Sequence, residues 1–211
     1  MSADSVAMML AIAVTALSDR ASADDRAPVV FVGARVGAQS LFLEGDSATA
    51  DLRGLFIGVD ASLRVTSHVS VAAVVEATRF DARSDRLEPG GAASSLATFA
   101  ELRIDTNPEG DWTARIDLGT GVRWLRLPLA SAPSDTYWAL EPLRLRIGPA
   151  HRFAGFEASV AAGLGFGWFV ARPGDRSCAV TGACADSILE SDTASGVHFV
   201  GDLSATLRGS L

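Results

Sequence analysis

From residue 29 onward apolar residues recur at every second position, and that two-residue period constrains the fold more than any other feature of the chain. Over 54–66, Leu55, Ile57, Val59, Ala61, Leu63 and Val65 share one face; Phe56, Gly58, Asp60, Ser62, Arg64 and Thr66 share the other. Over 69–78, Val69, Val71, Ala73, Val75 and Ala77 oppose Ser70, Ala72, Val74, Glu76 and Thr78. The pattern returns at 96–105 (Leu96, Ala100, Leu102 and Ile104 against Glu101, Arg103 and Asp105). It runs again from Trp112 to Trp124, with Arg115, Asp117, Gly119, Gly121 and Arg123 on the polar side. It is cleanest from Phe156 to Trp168, where Glu157, Ser159, Gly163, Gly165 and Gly167 face away from Ala158, Val160, Leu164 and Phe166. Near the C-terminus Val197, Phe199, Leu203, Ala205 and Leu207 oppose His198, Asp202, Ser204, Thr206 and Arg208. Two segments are less regular. The alternation over 29–42 (Val30, Val32 and Val36 against Arg35, Gly37 and Gln39) loosens after Ala38. Over 137–147 the phase changes, and a β-bulge at Glu141-Pro142 would restore one apolar face and place Arg144 and Arg146 on the polar one.

Eight strands follow, and no run of about 18 apolar residues exists that could form a membrane-spanning helix. The mean hydropathy is nevertheless positive, at +0.25. The connections are read as alternating between short and long. Ser67-His68, 107–110 and 148–151 are tight turns with turn-forming residues, whereas 44–53, 81–95, 128–135 and 172–195 are long. The natural fold class is all-β: an eight-stranded antiparallel up-and-down barrel, with turns at one end and loops at the other.

A soluble, lipocalin-like binding barrel would bury the apolar face; a transmembrane barrel would turn it to lipid. Three features favour lipid. The polar face carries eight glycines (Gly33, Gly37, Gly58, Gly119, Gly121, Gly163, Gly165 and Gly167), and the chain has no Lys at all, a poor water-facing surface but a suitable narrow interior. The charges on that face have both signs, so Arg35, Asp60, Arg64, Glu76, Glu101, Arg103, Asp105, Arg115, Asp117, Arg144, Arg146, Glu157 and Asp202 can pair as an internal network. Aromatics sit where membrane interfaces would fall: Trp112 and Trp124 are twelve residues apart, as are Phe156 and Trp168. At ~3.3 Å per residue and ~40° tilt, that spacing rises roughly 30 Å. Trp112, Trp124, Trp138 and Trp168 form the predicted aromatic girdle.

The first residues read as a signal peptide over 1–23, with an apolar stretch from Val6 to Leu17 and Ala21-Ser22-Ala23 before the cleavage point; 24–211 is then the barrel domain. The net charge is −7, and cleavage, which removes Asp4, Asp19 and Arg20, leaves −6; nucleic acid is therefore excluded as a partner. Cys178 and Cys184, close together in a polar segment of an exported chain, are expected to form a short-loop disulfide.

The leader, the eight alternating strands, the short turns at one end and the last strand close to the chain end resemble the small outer-membrane β-barrel proteins of Gram-negative bacteria. The resemblance covers about 27–211, is architectural, and carries no diagnostic motif. Members usually end on an aromatic residue of lipid-facing parity; this chain keeps the parity (Phe199, Leu203, Leu207, Leu211) but ends on leucine. The resemblance implies short turns and both termini in the periplasm, long loops outside, and dealings with outer-membrane lipids and with the export and barrel-insertion machinery. The function expected is a structural or interaction barrel with a lumen filled by side chains such as Phe56, Phe99, Arg123 and Phe169, its extracellular ligand unidentified. The alternatives are a small pore or hydrophobic-ligand conduit, using the space above the inward glycines, and a lipid-modifying acyl hydrolase. For the latter no nucleophile and base are convincingly placed: His198 points inward, and His68 and His151 fall in predicted turns. No catalytic residue, cofactor or metal site is expected.

Overall fold

The computed structural model describes residues 29–44, 49–83, 92–127, 135–171 and 197–210. The predicted signal peptide and the Cys178–Cys184 pair lie outside them. Eight antiparallel strands, β1 (Val30–Glu44), β2 (Thr49–Arg64), β3 (Val69–Arg83), β4 (Ala92–Asp105), β5 (Trp112–Leu127), β6 (Asp135–Phe153), β7 (Phe156–Ala171) and β8 (Val197–Ser210), pair in sequence order, and β8 closes on β1. The register gives the barrel its stagger. The row Ala34–Val59–Val75–Thr98–Val122–Leu140–Trp168–Val197 returns to β1 at Glu44, ten residues along from its start. A stagger of that size tilts the strands, so each side chain faces residues on distant strands across the lumen as well as its ladder partners.

Two connections differ from expectation. Between β6 and β7 the turn is Ala154-Gly155, and the predicted turn residues Gly148, Pro149 and His151 belong to β6. Ala154 and Gly155 have φ of 44° and 83°, the pair of positive values a two-residue hairpin of mirror-image type requires. Pairing of β6 with β7 passes from Ile147–Ala162 directly to Ala150–Ser159, so Pro149 sits where no ladder donor is needed. Ala154→Asn, a residue that tolerates this backbone region, is expected to raise stability by about 1 kcal/mol, read as a higher urea midpoint.

The stretch 44–53, expected to be a long loop, is mostly strand: β1 and β2 pair up to Glu44–Thr49, leaving four residues between them. That connection is no longer than the four residues between β2 and β3, so loop length does not alternate throughout. The 25 residues between β7 and β8 remain the longest connection. The bulge predicted at Glu141-Pro142 is present: β6 pairing with β7 jumps from Leu140–Trp168 to Leu143–Phe166.

Candidate functional site: a stapled lumen under an apolar cap

The outer wall is apolar. Leu55, Ile57, Val59, Leu145, Ile147, Val160, Leu164 and Leu203 all point outward and are largely exposed. A soluble barrel that buried this face is thereby overturned. The charged side chains seen on the wall are Asp51, Arg53, Arg79, Asp81 and Arg126, all close to the loop end. Below them lies a charge-free band bounded by aromatics. At the loop end Trp124 and Trp138 meet edge to face (4.8 Å between centroids), and Trp168 lies beside Phe166. At the turn end Trp112, His151, Phe153 and Phe156 stack in a continuous line on the outside of β5, β6 and β7. Hence His151 is a wall residue, where a turn residue was predicted. In hydrocarbon an arginine near the middle of this band has no partner, so Val59→Arg is expected to lower stability by about 2–4 kcal/mol in lipid vesicles.

The interior is charged, and its ion pairs run across the lumen. Glu76 on β3 accepts from Arg35 on β1 (3.2 Å) and from Arg144 and Arg146 on β6 (2.7 Å each). Glu101 on β4 accepts from Arg35 (3.0 Å), Arg103 (3.0 Å) and Arg146 (3.3 Å). Asp202 on β8 holds Arg144 (3.0 Å) and Arg146 (2.9 Å), and Asp60 on β2 holds Arg103 (2.6 Å). Nearer the turns, Arg115 donates to Asp105 and to Glu157, and Glu157 also accepts from Arg208. Arg152 closes this end: it bonds Asp105 (2.7 Å) and donates to the carbonyls of Asn107, Pro108 and Gly110, fixing the β4–β5 turn. A buried charge is tolerated only when paired and hydrogen-bonded, and the alternating sign of these side chains supplies the partners.

Of the thirteen residues expected in this network, Asp117 touches it weakly, at 3.8 Å from Arg103. Arg64 does not enter it: its guanidinium carbon lies 5.1 Å over the Phe31 ring, next to that of Arg208. Arg152 is one member outside that expectation, and three more form a group of their own. Glu141, just before the bulge, accepts from Arg123 and lies 3.2 Å from His198 Nε2; Arg123 also donates to Gln39 (3.0 Å) and Ser95 (2.9 Å). The inward parity of His198 and Arg123 was legible, but the phase change at Pro142 hid that of Glu141.

Most of the inward glycines leave no free space, while at Gly119 and Gly165 a Cβ would meet Glu101 at 3.3 Å and Arg144 at 3.4 Å. A Cβ at Gly121 would stand 2.5 Å from the Phe99 ring, at Gly163 2.7 Å from Arg146, and at Gly167 2.5 Å from His198. Each gap is occupied by a large side chain from the next strand, and Phe56, Phe99, Arg123 and Phe169 are all buried. Above Arg123 and Glu141 the interior changes character. Leu41, Leu43, Leu52, Phe80, Leu125, Leu127, Tyr137, Phe169 and Val200 form one buried apolar cluster. On β2–β5 the outward positions here are polar, including Arg53 and Arg79, whereas Phe42, Trp168, Val197 and Phe199 keep the outside apolar on β1, β7 and β8. The barrel is thus inside-out through the band and, over β2–β5, apolar-in at its loop end.

An apolar wall of this height, closed on itself without an edge and packed with paired charges, is the arrangement a hydrocarbon environment requires. The chain has the fold of a small outer-membrane β-barrel. Among solved structures it resembles Neisserial surface protein A at a TM-score of 0.52 and 13% identity, over 88% of this chain and 100% of that one. The attachment invasion locus protein of Yersinia pestis, solved with the heparin analogue sucrose octasulfate, aligns at a TM-score of 0.46 and 12% identity, over 85% and 98%. The translocator domain of the Neisseria meningitidis autotransporter NalP aligns at 0.34 and 11%, over 98% and 97%. No family model matches the sequence, and no curated protein matches it.

Proposed function

We propose that this barrel sits in the outer membrane as a closed structural and interaction protein, acting through the loop end and not through its lumen. The observation that carries this reading is the filled interior: paired guanidiniums and carboxylates in the middle, sealed by the apolar cluster beneath the loops. The long connection between β7 and β8 then stands on the cell surface, the tight turns and both termini face the periplasm, and the signal-like leader and the lipid-facing parity of Phe199, Leu203 and Leu207 suit export and the barrel-insertion machinery. A lipid-modifying activity is not part of the reading. The one inward histidine, His198, is fully buried against Glu141 and Phe169, out of reach of a lipid on the outer wall.

Planar-bilayer recording tests the closed lumen. The protein, shown folded by heat-modifiable gel migration, is expected to give no defined conductance steps. Steady steps in proportion to inserted protein would sink this reading in favour of a pore. Absence from outer-membrane fractions would sink the location, and loss of a specific lipid modification on deleting the gene would restore the enzyme.

A further inference from the structure

The outer wall carries a groove of about 680 Å3 on the side formed by β5–β8 and β1. It runs across the strands between two register rows. Trp112, His151, Ala158, Leu207 and Ala34 pair in turn along the lower row; Val160, Ala205 and Val36 continue the upper one. The dent exists because Ala34, Ala158 and Ala205 present only a methyl group where Val36, Val160 and Leu207 stand half exposed around them.

The groove lies wholly within the charge-free band, so what fills it comes from the hydrocarbon. Left empty, it would forfeit dispersion contacts along its floor, and an apolar void does not hold water. The four spacings between its five strands, at about 4.8 Å each, make it roughly 19 Å long. Its foot is the Trp112–His151 stack at the turn-end aromatic level, where headgroups lie, and its far end on β1 reaches toward the middle of the band. The protruding Val36, Val160 and Leu207 keep a broad sheet face off the floor, while a single flexible chain reaches it. We infer that this groove seats one acyl chain of a phospholipid from the leaflet nearer the turns, the headgroup lying beside Trp112 and His151. The site rests on the outer wall facing lipid.

The test is native mass spectrometry on barrels reconstituted in dioleoylphosphatidylcholine vesicles and extracted in mild detergent, each protein first shown folded by heat-modifiable migration. The wild type is expected to retain one phospholipid per barrel. A158L/A205L, which fills the groove with side chains, should retain at least tenfold less, while A77L on the opposite wall should match the wild type. Three results would overturn the site: a folded wild type that retains no lipid, equal retention in A158L/A205L, or a wild-type dimer that A158L/A205L dissociates, since the groove would then belong to a second copy. A wild type that never enters the vesicles would overturn the lipid-facing wall itself, and the groove site with it.

Discussion

Glu76→Gln is expected to lower the unfolding free energy of the barrel by about 3–5 kcal/mol, seen as a large fall in the urea midpoint in lipid vesicles. The Glu76 carboxylate is fully buried and is the common acceptor for Arg35, Arg144 and Arg146, tying β3 to β1 and β6 across the lumen. An amide has one acceptor oxygen and turns two donors toward guanidiniums that can only donate, so three buried cations lose their shared counter-charge. Asp117→Asn is the comparison. Asp117 is buried too but lies at the margin of the network, with its ion pair to Arg103 stretched to 3.8 Å, and its substitution should cost less than about 1 kcal/mol. Equal losses at the two sites, or none at Glu76, would mean that water in the lumen solvates these charges and that the staples do not hold the barrel.

Much of this interior could be read from parity alone. Once the apolar face was assigned to lipid, the inward position of Arg35, Glu76, Glu101, Arg144 and Arg146 followed from a period of two. Who pairs with whom did not follow. The partners of Glu76 lie on β1 and β6, and only the ten-residue stagger of the closed barrel brings those strands opposite β3 at that height. The loop end departs from the sequence expectation for a different reason. There the faces exchange polarity, so Asp51 and Arg53 outside, with Leu52 inside, break the expected pattern and look like loop. The turn Ala154-Gly155 is not legible in the sequence because glycine and proline at 148–149 carry the stronger local turn signal, although a position without a ladder bond accommodates Pro149 inside β6.

The polarity exchange leads to the second large effect: Phe169→Ala is expected to cost about 3–5 kcal/mol, as large as losing a central ion pair. Phe169 is buried in the loop-end cluster, edge to face with Tyr137 (5.8 Å) and against the His198 ring (5.1 Å). Its removal leaves a cavity between the apolar cap and the Arg123–Glu141–His198 group, where water can reach polar atoms the cap otherwise excludes. The cluster works as a hydrophobic core only because water lies outside the wall at this height, where Arg53 and Arg79 face out. Two identical truncations separate that claim from a general sensitivity to lost methylenes. Leu52→Ala, in the cap, should cost about 2–5 kcal/mol. Leu164→Ala, 73% exposed on the lipid-facing wall, should cost about 2 kcal/mol, the transfer of its lost carbons from water to hydrocarbon at about 0.8 kcal/mol each, with no cavity cost added because lipid fills the space. Equal costs at the two leucines would place the loop end inside the membrane and remove the reason for its inverted pattern.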